Sequence, residues 1–194
     1  MIKMLGSNAS TEGGKEAGEK LGSAAADKGN KITKTGGLQM TRAEKAKAYF
    51  EEGYNCAQAV TLAFAEDMGL DRDSAAKMAS SFGGGFGRLR EVCGCVSGMT
   101  LAAGTLYGYN DPKAREEKAE LYALIQKLAN EFREKNGSII CRELLAGINS
   151  DTNPVPEVRT ADYYKKRPCA DLVYSAAEIL EEEIKRRAGG SGQI

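Results

Sequence analysis

Five cysteines, Cys56, Cys93, Cys95, Cys141 and Cys169, carry most of the chemistry available to this chain, because it contains no histidine at all. Ser-His-Asp triads, Cys-His pairs and His metal ligands are therefore excluded. What remains for the thiols is redox exchange, thiolate ligation of a metal, or simple burial as small apolar side chains. Their spacing is irregular, with no Cys-x-x-Cys knuckle. Only Cys93-Gly94-Cys95 places two sulfurs close in sequence.

The elements expected to position these thiols are helices. Thr41-Arg-Ala-Glu44 is a capping box that opens a helix to about Glu52. Asn55 caps a second helix through Met68, with Gly69 just past its end. Asp71 or Asp73 caps a third that ends before Gly83, and a fourth runs from about Val92 to Tyr107. Asn110-Asp111-Pro112 opens the longest helix, whose stripe Leu121, Leu124, Ile125, Leu128 and Phe132 has helical spacing and which Gly137 stops. Cys141–Leu145 reads as a short helix, Pro154 and Pro156 as a loop, and Pro168 to about Arg187 as the last helix. No strand alternation is present, so the expected fold is all-α, a compact multi-helix bundle.

This reading puts Cys56, Cys93, Cys141 and Cys169 at four helix N-termini, where free N–H groups and partial positive charge favour a thiolate. One helix end contributes about 0.3–1 kcal/mol, less than roughly one pKa unit, so cations must supply the rest. Arg88 and Arg90 precede Cys93, Arg142 follows Cys141, and Lys165, Lys166 and Arg167 precede Cys169. Cys56 has only Glu51 and Glu52 nearby, and it begins an apolar face of Val60, Leu62 and Phe64 that should bury it and raise its pKa. Cys93 is the expected nucleophile, since Gly83, Gly84, Gly85 and Gly87 before it offer little side-chain cover.

The glycine run does not read as a nucleotide loop. From Gly83 or Gly85 the third glycine of a dinucleotide fingerprint is missing, with Arg88 or Arg90 in its slot. No strand precedes the run, and the Gly-Lys-Ser/Thr of a phosphate loop is absent. Gly83–Gly87 let the chain reverse or let backbone approach a partner closely. Gly83, Gly84, Gly85, Gly87 and Arg88 are accordingly the candidate binding residues of this loop.

Several segments together resemble the C_GCAxxG_C_C family of redox-active proteins, over roughly Met40 to Glu182. They are Tyr54-Asn55-Cys56-Ala57-Gln58-Ala59-Val60, Phe82-Gly83-Gly84-Gly85 with Gly87-Arg88, Cys93-Gly94-Cys95-Val96-Ser97-Gly98, Cys141-Arg142-Glu143-Leu144-Leu145 and Arg167-Pro168-Cys169. The match aligns the Cys-Gly-Ala-x-x-Gly motif with Cys93–Gly98 and places Cys95 where alanine is usual. It thereby implies that the family's four cysteines are Cys56, Cys93, Cys141 and Cys169, with Cys95 an extra thiol. The resemblance implies a cytosolic prokaryotic helical protein with redox-active thiols, and it names no substrate.

Two functions follow as expectations. The first is thiol–disulfide redox chemistry with an unidentified redox partner protein, carried by Cys93, Cys56, Cys141 and Cys169. The alternative is Zn or an iron–sulfur cluster held by the same four thiolates. Lys+Arg and Asp+Glu are both 27, so nothing draws the chain to nucleic acid or an anionic membrane. No apolar run approaches the roughly 18 residues of a membrane span. MIKMLGSNAS lacks the apolar stretch of a secretory signal, which makes a reducing cytoplasm the expected compartment. Residues 1–39 hold eight glycines and no aromatic. They are expected to be a disordered leader, which a start at Met40 would exclude as non-native, ahead of a helical domain at 40–188 and a flexible tail at 189–194. Oligomeric state has no sequence signal.

Overall fold

The computed structural model describes residues 40–148 and 151–190. The expected leader, residues 1–39, and residues 191–194 of the expected tail lie outside the described residues. The described chain is all-α, with no strand: α1 Arg42–Glu52, α2 Cys56–Ala63, α3 Arg72–Ala79, α4 Gly94–Tyr107, α5 Arg115–Asn136, α6 Cys141–Leu144, α7 Ala161–Lys166 and α8 Cys169–Gly190. A 3-10 turn, Ser80–Phe82, follows α3.

Local hydrogen bonding explains where these helices begin. Thr41 forms the full capping box with Glu44. Asn55 forms another with Gln58: its Oδ1 accepts from the backbone N–H groups of Ala57 and Gln58, both at 3.0 Å, and Gln58 Oε1 accepts from the Asn55 N–H at 3.1 Å. Asp71 caps α3 through Ser74.

Three boundaries differ from expectation. α2 ends at Ala63 rather than Met68, because the backbone tightens into i→i+3 bonds, Phe64 N–H to Thr61 and Ala65 N–H to Leu62, before reversing at left-handed Gly69. α5 starts at Arg115, since Asp111 first builds a turn by accepting from the N–H groups of Lys113 and Ala114. α7 was not expected; Thr160 caps it by accepting from the Tyr163 N–H at 3.2 Å.

α1, α2, α4 and α8 pack around a shared core, with α5 against α8 and α4. Phe50, Val60, Phe64, Met99, Leu128, Phe132, Val173 and Leu180 are its largest fully buried apolar side chains. Each contributes on the order of 1.5–3 kcal/mol through burial. α2 and α4 approach closely at Gly98. A Cβ added at Gly98 would lie 2.6 Å from the Ala57 carbonyl oxygen, so only glycine lets the start of α4 lie against the start of α2. That approach brings Cys95 next to Cys56.

Candidate functional site: a thiol cluster beside an arginine-lined cavity

Each thiol is placed by a helix start. Cys56 is the first residue of α2 behind the Asn55 cap, Cys93 is the N-cap of α4 with Cys95 two residues on, Cys141 begins α6 and Cys169 begins α8. The elements are joined by long-range backbone pairing. Residues 90–93 run antiparallel to 139–142, with a bridge between Val92 and Ile140. The Cys93 N–H donates to the Ile139 carbonyl at 2.8 Å, and the Cys141 N–H to the Glu91 carbonyl at 2.7 Å. This pairing carries the start of α6 to the start of α4.

The glycine loop supplies close approach rather than openness. A Cβ at Gly85 would lie 2.8 Å from the Cys141 Cβ, and one at Gly83 would lie 2.6 Å from Asn55 Cγ. The loop therefore folds onto the two helix starts that carry Cys56 and Cys141. Cys93, expected to be uncovered by these glycines, is buried at 4% exposure, because its backbone is tied to Ile139 and its side chain joins the core. Cys56, expected to be the buried thiol, is only partly buried and lines a cavity of about 250 Å³. Cys141 and Cys169 line the same cavity. Cys95 lies behind them with no exposed surface. Gly83, Gly84, Gly87 and Arg88 contribute to the cavity wall, whereas Gly85 is packed beneath it against Cys141.

The electrostatics single out Cys56. Its thiol is held well below the ordinary cysteine value, first because the Cys169 and Cys95 S–H groups lie close enough to stabilise charge on its sulfur, and further by the Arg159 guanidinium. Burial opposes this and is outweighed. The neighbours respond in the opposite sense. Cys169 is raised because its proton is retained beside the Cys56 charge and by burial. Cys95 is raised chiefly by burial, and Cys141 is pushed up to about 11 by burial and by the charges of Cys93 and Cys56. A lowered Cys56 thiol beside raised Cys95, Cys141 and Cys169 thiols is the resulting arrangement.

Arg159 is the residue that sequence reading missed. It stands in the loop before α7, far along the chain from Cys56. Its Nη1 and Nη2 donate to the carbonyls of Phe50 and Tyr54, each at 3.0 Å, and its guanidinium stacks 4.4 Å from the Phe50 ring centroid. It thus bonds to carbonyls in and just after the last turn of α1. No local motif marks it; an arginine beside a proline-containing loop is the only available cue.

A model described as "Putative redox-active protein (C_GCAxxG_C_C)" matches residues 54–183. This chain belongs to that family. The match starts at Tyr54, so the C_GCAxxG_C_C region covers α2 through most of α8 and includes all five cysteines, while α1 precedes it. The comparisons with curated proteins and with solved structures give no match. Among the described residues, no group of three or more cysteine, aspartate or glutamate side chains is placed to hold a metal ion. Among the described residues, too, no helix is long and apolar enough to cross a membrane.

Proposed function

We propose that this protein performs thiol–disulfide exchange with Cys56 as the nucleophile and Cys169 as the resolving thiol. The observation that carries this reading is the position of Cys56. It is the thiol with stabilised negative charge, it retains exposed surface on the cavity, and Cys169 is beside it on the same wall. Thiolate character and access together make a reactive cysteine.

The chemistry proceeds in two displacements. The Cys56 thiolate attacks one sulfur of a substrate disulfide; a Cys56–substrate S–S bond forms, the substrate S–S bond breaks, and the departing thiolate takes the Cys169 proton. Once Cys56 is uncharged, the electrostatic penalty that kept Cys169 protonated is gone. The Cys169 thiolate then attacks the Cys56 sulfur, forming the intramolecular disulfide and releasing the second substrate thiolate to solvent. Two electrons pass from the protein dithiol to the substrate disulfide. Cys95, fully buried, supports charge on Cys56 without meeting the substrate. Cys93 and Cys141 hold the helix starts together through their backbones.

The test is trapping. An aromatic disulfide added to the reduced native chain is expected to release both of its thiols per Cys56 and leave no adduct. Cys169→Ser is expected to release one and retain a mixed disulfide on Cys56. An adduct retained on a different cysteine, or a Cys169→Ser protein that behaves as the native one, overturns the assignment.

A further inference from the structure

The cavity beside Cys56 is more cationic than the thiol chemistry requires. Four guanidinium groups line it: Arg88, Arg90, Arg159 and Arg167. Two carboxylates offset them. Asp151 pairs with Arg88 at 2.9 Å, and Glu157 pairs with Arg167 and lies 4.0 Å from Arg88. Arg159 is engaged by backbone carbonyls, so one Cys56 thiolate still leaves positive charge on the walls.

Arg90 is the most unusual of the four. It is only 5% exposed, and its Nε donates to the Asp151 carbonyl at 3.0 Å. Its buried Nη2 has no hydrogen-bond partner. The guanidinium otherwise reaches the Cys141 sulfur, and a thiol is a weak acceptor. A buried guanidinium N–H left without an oxygen is costly and uncommon, and it calls for an occupant. The backbone is also committed to this placement. Phe86, Arg88 and Arg90 all adopt left-handed conformations, at φ 59°, 73° and 62°. Non-glycine residues pay for that geometry, and they do so characteristically where a ligand is held. Two of these three strained residues deliver arginines to the cavity wall.

Resting on the assignment of Cys56 as the working thiolate, we propose that the cavity is an anion-binding subsite. In this proposal Arg90 anchors a carboxylate or tetrahedral oxyanion borne by the molecule that reacts at Cys56. The substrate class is then a small anionic disulfide. Such a ligand offers Arg90 an oxygen acceptor at the cavity wall and presents its sulfur to Cys56 across the same cavity.

Matched alkylating probes read this out. Iodoacetate and iodoacetamide both lose iodide as a C–S bond forms, and they differ in charge. Site-resolved mass spectrometry gives their rate ratio at Cys56 in the full chain. The iodoacetate-to-iodoacetamide ratio is expected to be about tenfold or more higher in the native than in the urea-unfolded chain, the scale of one charge-assisted bond. Arg90→Gln should return it to the unfolded ratio, and Arg90→Lys should keep part of the preference. Arg90→Gly, which suits the left-handed backbone, should do the same as Arg90→Gln in a chain that folds well. A second readout does not depend on Cys56 reactivity. Low-millimolar sulfate, exchanged for chloride at constant ionic strength, should raise the unfolding midpoint of the native and Cys56→Ser chains, and should leave that of Arg90→Gly unchanged. Carboxylate preference without a sulfate effect supports a carboxylate-bearing substrate, and the reverse supports an oxyanion. If neither the rate ratio nor the midpoint responds to Arg90, the subsite is overturned. Slow alkylation of Cys56 together with Arg90-dependent sulfate binding would refute the nucleophile while retaining the subsite.

Discussion

Arg159 and Cys56 meet through the fold alone. The arginine bonds to the carbonyls of Phe50 and Tyr54 just ahead of the thiol in sequence, and from there its charge lowers the Cys56 pKa. Along the chain Cys56 is the thiol least supported by cations, because only Glu51 and Glu52 are near it. The electrostatic partner comes instead from a loop that joins a distant part of the sequence to α7.

Removing that partner should raise the Cys56 pKa. Arg159→Met is expected to move it up, because a neighbouring opposite charge is lost. Iodoacetamide labelling of Cys56 below its pKa should slow accordingly. Arg159→Lys should give a smaller change, because the charge remains while the paired carbonyl bonds and the stacking on Phe50 are weakened. The pH dependence of the labelling rate measures both.

The protonated thiols make the fold sensitive to alkali. Cys141 is raised to about 11, and Cys95 and Cys169 are raised as well. A group whose folded pKa lies above its unfolded value stabilises the fold fully below the unfolded pKa, near 8.5, and loses that contribution as pH rises through the folded value. Cys56, whose folded pKa is lowered, acts in the opposite sense, and its contribution is present above the unfolded pKa. Above about pH 8.5 the Cys56 contribution no longer changes while the raised thiols lose theirs, so the urea midpoint should fall between about pH 8.5 and 11. Cys141→Ser should flatten the decline.

The approach of α4 to α2 admits no side chain at Gly98. Gly98→Ala would set a Cβ 2.6 Å from the Ala57 carbonyl and 3.1 Å from the Val60 Cβ. Overpacking of this kind costs about 1–3 kcal/mol. Equilibrium unfolding should show that loss. The displaced α4 start should also draw Cys95 away from Cys56, so labelling of Cys56 should slow even in the folded fraction. Gly104, with open space at its Cβ, is the control position.

Helix existence was legible because the signals are local. The capping boxes at Thr41 and Asn55 are each closed by residues three apart, and the α5 stripe repeats at helical spacing. The placement of four cysteines at helix starts followed from the same caps and stops. What sequence could not give was the ordering of the thiols. Cys93 looked accessible after four glycines, yet pairing of residues 90–93 with 139–142 buries it. Cys56 looked buried and unsupported, yet it lines the cavity under Arg159. Both reversals come from contacts between segments remote in sequence. The α7 cap at Thr160 was present but obscured by the proline-rich stretch before it.

Site-resolved alkylation shows whether Cys56 is the acidic and accessible thiol of the cluster. Reduced protein is exposed to substoichiometric iodoacetamide across a pH series, and modification of each cysteine is quantified separately. Cys56 should be modified first at neutral pH, with an apparent pKa below the ordinary cysteine value, and Cys93, Cys95, Cys141 and Cys169 should lag behind it. Earlier modification of Cys93, or equal modification of all five thiols with an ordinary pKa, would contradict the Cys56 assignment.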